Sequence, residues 1–255
     1  MAATRWTRSR YVYAELLDRN LPEVRDRIAR AELDAGRSPR SVRLIAVTKA
    51  HPVEAVEAAL AAGLTHLGEN RVEELEAKTR IIGREPTWHL IGHVQSRKAK
   101  RAAACADLVH SVDNLKLARK LSRAVVEGAR GCEPGSGLDI LVQVNVSGEA
   151  SKSGLDADGA VDTLLEMAEL PGLKLAGLMT MAPFGADVGT LRRTFGGLRR
   201  TSEETRKATS RVGPELSMGM TGDLDVAIAE GSTMVRIGTA LFGPRPRPGA
   251  TNLET

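Results

Sequence analysis

The chain has 255 residues, 42% of them hydrophobic, which is enough for a large core, and no apolar stretch approaches a membrane span. Lys and Arg number 36 against 32 Asp and Glu, and only 3% of residues are aromatic, so a formal charge of +4 with few stacking side chains argues against nucleic acid as the main partner. Two cysteines, Cys105 and Cys132, form no C-x-x-C pair, and the opening residues lack a continuous apolar signal core, so a reducing cytoplasmic setting is expected.

In chain order, residues 1–21 carry Arg5, Arg8 and Arg10 before the first acid, Glu15, and are expected to be a flexible arm. A first helix is expected near "LPEVRDRIARAELDAG", ahead of the series of strands. Short apolar runs then alternate with amphipathic stretches. The runs are "VRLIAVTK" from 42, "THLGEN" from 65, "WHLIG" from 88, "DLVHSV" from 107, "DILVQVNV" from 139, "LKLAGLMT" from 173, "ELSMGM" from 215 and "TMVRIG" from 233. Between them, "PVEAVEAALAAG" and "NLKLARKLSRAVVEGARG" have helical spacing and end in glycine. "GCEPGSG" at 131–137 reads as a loop, and the tail from 244 to 255 as disordered.

Eight strand-then-helix units within 22–243 match the size of a single (β/α)8 barrel, with a doubly wound open sheet as the other arrangement. In such a barrel the chemistry sits at the C-terminal strand ends. The polar residues there are Lys49, Asn70, His89 with Gln95, Ser111, Asn145, Thr180, Ser217 and Arg236. Carboxylates are nearly absent from that ring, so paired-acid hydrolysis has little to recruit. His89 and His93 straddle a strand end and read as core or loop residues, with no metal site expected. The arginine-rich run from 191 is interleaved with Glu203 and Glu204 and reads as a solvated helix face, with no specific nucleic acid expected.

Lys49 can be a snorkelling cation or an amine whose burial favours the neutral, nucleophilic form. Its place at the end of the first strand favours the second, which suits Schiff-base chemistry with an aldehyde. After the seventh and eighth strands, "SMGMTGD" and "VRIGTALFG" offer Gly219, Gly222 and Gly238 with the hydroxyls of Ser217, Thr221 and Thr239. Each loop alone reads equally well as turn glycines and caps, but the pair stands where barrels commonly bind phosphate. An amine for an aldehyde and a cradle for a phosphate together describe a site for pyridoxal 5′-phosphate, with Arg236 placed to donate to the pyridine nitrogen.

At these residues the chain resembles the pyridoxal phosphate homeostasis protein family, relatives of the alanine racemase amino-terminal barrel. The resemblance rests on "AVTKAHP", "LGENRVEE", "WHLIGHVQSRK", "VNVSGEASKSG", "GLMTMAP", "LSMGMTGD" and "VRIGTALFG". It implies that Lys49 carries the cofactor as a Schiff base, that Ser217, Thr221, Gly238 and Thr239 surround its phosphate, that Arg236 faces the pyridine nitrogen and that Asn70 lines the ring. It also implies a role in storing, buffering or delivering pyridoxal phosphate, with dependent enzymes as acceptors, and a monomeric barrel. A racemase would need a second base. The only tyrosines, Tyr11 and Tyr13, lie in the arm, so no turnover is expected unless the arm folds over the mouth. The competing expectation is a lysine Schiff-base enzyme, an amino-acid racemase or a sugar-phosphate aldolase. Thr221 stands where the family usually has serine, and Arg97 where asparagine is expected.

Overall fold

The computed structural model describes residues 2–130, 137–149 and 153–245, with side chains in its first helix from residue 9 onward. The "GCEPGSG" loop, but for its last glycine, and the tail from 246 lie outside the described residues. Eight parallel strands, β1 (Arg43–Val47), β2 (His66–Glu69), β3 (Thr87–Leu90), β4 (Leu108–Val112), β5 (Leu138–Asn145), β7 (Leu173–Met179), β8 (Glu215–Ser217) and β9 (Met234–Ile237), form a closed (β/α)8 barrel. The order runs β4-β3-β2-β1-β9-β8-β7-β5, and a β4–β5 pairing closes it. The short β6 (Leu155–Asp156) adds outside the ring, Val144 pairing with Leu155. Each expected apolar run covers its strand to within one residue, because a strand covered on both faces is largely apolar.

The helices are α1 (Ala2–Asp34), α2 (Val53–Ala61), α3 (Val72–Ile82), α4 (Ala99–Cys105), α5 (Leu115–Val126), α6 (Ala160–Ala168), α7 (Val188–Ala208), α8 (Leu224–Ala229) and α9 (Thr239–Phe242). The core between helices and barrel contains Leu67, Trp88, Leu90, Val109, Ile140, Val142, Leu178, Val235 and Ile237 from outward strand positions. The barrel interior is different: only Ile45, Leu108, Leu141, Ala176, Met179 and Met234 form an apolar cluster there, and buried polar residues fill the rest. On α7, Leu191, Phe195 and Leu198 face inward while Arg192, Arg193, Arg199, Arg200, Glu203 and Glu204 are exposed.

The expected flexible arm is a correction. Residues 9–21 belong to α1, which runs unbroken through Pro22. Tyr13, Leu17, Leu21, Val24, Ile28 and Ala31 recur at spacings of three and four, so one buried stripe spans the proline. That stripe packs on α2, α8 and α9, and its burial offsets the roughly 3 kcal/mol that an interior proline costs a helix. α9 has only four residues, so α1 supplies the cover that an eighth crossover helix would give. At its C-terminal end the buried Glu32 accepts from the amides of Arg40 and Val42 and from Ser41 Oγ, which fixes the turn into β1.

Candidate functional site

Lys49 stands two residues beyond β1 at the C-terminal mouth, half-buried. The backbone on both sides of it is clamped. Lys78 Nζ from α3 donates to the Thr48 carbonyl at 2.8 Å, Thr48 Oγ1 donates to Glu69 Oε1 at 2.6 Å, and the Ala50 amide donates to Glu74 Oε1 at 2.6 Å. Ala50 is held at φ 61°, a left-handed conformation that alanine adopts only when its surroundings impose it. Burial lowers the Lys49 ammonium below its ordinary value, and the positive Arg245 and Arg236 push the same way against Glu69 and Glu74. The result is an amine biased toward its neutral form.

The clamp itself was not among the residues singled out from the sequence. Glu69, 0% exposed, receives Lys78 Nζ at 2.6 Å, yet burial raises its carboxyl to about 7 despite that cation. Its Oε2 has no hydrogen-bond partner among the described residues. Alternation along β2 turns Glu69 outward to α3 and leaves Asn70 on the mouth side, so only the register of a strand with a charge inside it hinted at the pair. Asn70 is exposed; a Cβ at Gly92 would lie 2.1 Å from its carbonyl oxygen, so the close approach of the two loops requires glycine there.

Arg236 lies inside the barrel, paired in register with Ile45 of β1. Nη1 donates to Ser217 Oγ at 2.6 Å and Nη2 to the Thr180 carbonyl at 3.2 Å. Burial lowers the guanidinium to about 10, while Asp223 favours its charge. Ser217, expected at the phosphate, is fully buried with its hydroxyl between Arg236 and His110.

The loop after β8 lies against β9, whose Arg236 amide donates to the Gly219 carbonyl at 3.0 Å. Gly219 has φ +93°, and a Cβ there would meet Ala227 Cβ at 2.6 Å, so the turn can lie on α8 only with glycine. Asp223 Oδ1 closes that turn on the Met220 amide at 2.6 Å. Thr221 and Gly222 are exposed, and Arg27 of α1 pins the loop by donating to the Thr221 carbonyl at 2.6 Å and to Asp225. Gly238 caps α9 against the Val47 carbonyl of β1, and Thr239 is exposed at the first turn. The structure therefore gathers Lys49, Asn70, Arg236, Thr221, Gly238 and Thr239 at one mouth and puts Ser217 beneath them.

Other polar strand ends have local partners. Ser111 Oγ donates to the Gly92 carbonyl, Thr180 Oγ1 to the Val144 carbonyl and Asn145 Nδ2 to the Glu149 carbonyl. His93 sits on Asp113 at 3.1 Å, and the described residues contain no group of three metal-ligating side chains. Tyr13 is buried with its hydroxyl 3.1 Å from His51 Nδ1 and its ring edge-on to His51 and Phe242, whereas Tyr11 is exposed.

Residues 20–246 match the model of the alanine racemase N-terminal domain. The pyridoxal phosphate homeostasis protein of Pseudomonas aeruginosa is 41% identical over 227 residues, covering 89% of this chain and 94% of that protein. Its counterpart in Escherichia coli K12 is 39% identical over 235 residues, 89% of this chain and 95% of that one. Among solved structures, PipY of Synechococcus elongatus PCC7942 with PLP bound is 36% identical with a TM-score of 0.73, covering 85% of this chain and 100% of that chain. Alanine racemase of Corynebacterium glutamicum, 17% identical with a TM-score of 0.64 over 89% of this chain and 62% of that one, shares the fold. On these likenesses the chain belongs to the pyridoxal phosphate homeostasis protein family.

Proposed function

We propose that the chain binds pyridoxal 5′-phosphate at the C-terminal mouth through Lys49 and takes part in its intracellular storage, buffering or delivery. The residues fit the group. A half-buried amine biased toward neutrality suits an aldehyde, a buried guanidinium suits a ring nitrogen that stays unprotonated, and two adjacent glycine-bearing loops suit a phosphate. When bound, the cofactor supplies an aldehyde that a lysine holds as a Schiff base and a pyridine ring that can act as an electron sink. Lys49 is assigned to the aldehyde, Arg236 to the pyridine nitrogen, Asn70 to the ring edge, and Thr221, Gly238 and Thr239 to the phosphate. Ser217 serves the site by holding Arg236. The observation that carries this reading is the pairing of a clamped, half-buried Lys49 with a buried Arg236 that bears on its charge.

Little or no racemase turnover is proposed, since Tyr13 spends its hydroxyl on His51 and burial raises its pKa, with Glu54 pushing the same way. A cytoplasmic monomer that hands the cofactor to dependent enzymes completes the reading, and PipY bound to PLP at 36% identity supports its ligand. The test is the visible absorption spectrum with added pyridoxal phosphate, beside Lys49→Ala. A band that borohydride abolishes, present in the wild type and absent in the variant, is expected. A wild type without a band would end the reading.

A further inference from the structure

Three histidines on adjacent strands touch in sequence inside the barrel. His66 Nδ1 of β2 lies 3.0 Å from His89 Nε2 of β3, and His89 Nδ1 lies 2.8 Å from His110 Nε2 of β4. His110 Nδ1 is 2.9 Å from Ser217 Oγ, which accepts from Arg236 Nη1 at 2.6 Å. The line climbs the barrel because of its register: His66 pairs with Thr87, two residues below His89, His89 pairs with Leu108, two below His110, and Ser217 pairs with Met234, two below Arg236. It ends at the opposite, N-terminal mouth, where His66 lines a cavity of about 310 Å3 with Arg43, Asp107, Asp139, Lys174 and Glu215.

The direction of the hydrogen bonds follows from the donors. Burial holds His89 and His110 well below the ordinary imidazole value, so each ring is neutral, with one N–H and one lone pair. A guanidinium only donates, so Ser217 accepts from Arg236 and its own hydrogen goes to His110 Nδ1. His110 then carries its hydrogen on Nε2 and donates to His89 Nδ1, and His89 donates from Nε2 to His66 Nδ1. The opposite order would make Ser217 accept twice and leave its buried hydrogen without an acceptor among the described residues.

We propose that His66, His89 and His110 are positioning residues, a one-way relay of Nε2–H rings that orients Ser217 and the Arg236 guanidinium from the far mouth of the barrel. Only its consequence for the cofactor rests on the proposed function; the tautomer order follows from the chain's own atoms.

Ring-nitrogen NMR of the 15N-labelled full chain without cofactor reads the tautomers. Nε2–H at both His89 and His110 is expected, and an Nδ1–H ring at either overturns the relay. His66→Gln and His66→Phe then separate relay from packing. The glutamine carbonyl still accepts from His89, whereas phenylalanine leaves that N–H facing no acceptor and favours the reversed order. His110 is expected to switch to Nδ1–H in the phenylalanine variant and to keep Nε2–H in the glutamine variant; a folded phenylalanine variant with an unchanged His110 ring would sink the coupling. Pyridoxal phosphate uptake is expected to be weaker in the phenylalanine variant than in the glutamine variant by a factor of about ten, the loss of roughly one oriented hydrogen bond. Equal uptake would overturn the positioning of Arg236. A wild type that takes up none would end the functional reading, while the tautomers would still judge the relay.

Discussion

Lys78 donates to three oxygens at once, those of Glu69, Glu74 and the Thr48 carbonyl, with its own side chain 6% exposed. Removing it leaves a fully buried carboxyl without its cation and frees the backbone before Lys49. Lys78→Met is therefore expected to lower stability by about 3 kcal/mol, the low end for breaking a buried pair because Glu69 is already driven toward its neutral form. A Lys78→Met, Glu69→Leu double variant is expected to recover most of the loss. Urea unfolding of the two variants checks this, and a double variant no more stable than the single one would show that the carboxyl is not the source of the cost.

At the scale of elements, α1 decides whether the mouth is rigid. It reaches the Lys49 loop through Tyr13 and His51, the β8–α8 loop through Arg27, and α9 through Asn20, whose Nδ2 donates to the Leu241 carbonyl at 3.1 Å. Leu17, 1% exposed, lies at the middle of the buried stripe of α1. Leu17→Ala is expected to cost about 2–4 kcal/mol in denaturant unfolding, the range for a buried leucine truncation, whereas a loosely attached arm would lose almost nothing. The sequence reading expected this helix only from Leu21 onward, because local signals dominated what precedes it. A run of arginines without acids and a proline at 22 both argue for a break, and only packing against α2, α8 and α9 outweighs them.

For the whole molecule, protonation has opposing effects whose signs can be assigned. His51, His66, His89 and His110 all sit below the ordinary imidazole value, with burial as the first cause. Each resists protonation when folded but takes a proton near pH 6.5 when unfolded, so the stability they contribute is present above that value and is lost as pH falls from it toward the lower folded values. Glu69 acts oppositely: its folded value of about 7 exceeds the ordinary 4.5, so between those values the folded state holds the extra proton and gains as pH falls. Four histidines outweigh one carboxyl. The urea midpoint is expected to be lower at about pH 5.5 than at about pH 7.5, and an equal or higher acid midpoint would contradict the neutral interior.

Apolar runs of strand length separated by helical spacing determined the eight-unit barrel by themselves, because parallel strands buried on both faces must be apolar and crossovers must be long. The same pattern put Lys49, Asn70 and Arg236 at or near strand ends, and the glycine-bearing loops were legible as local motifs. What the sequence did not contain was which inward residue meets which. His66, His89 and His110 are 23 and 21 residues apart, a separation that says nothing of touching rings. The stagger of each strand against the next lifts one histidine above another and turns Ser217 toward Arg236, while the packing of α3 on β2 sets Lys78 on Glu69. That stagger is a property of the closed sheet, fixed only when the eight strands and the covering helices pack together.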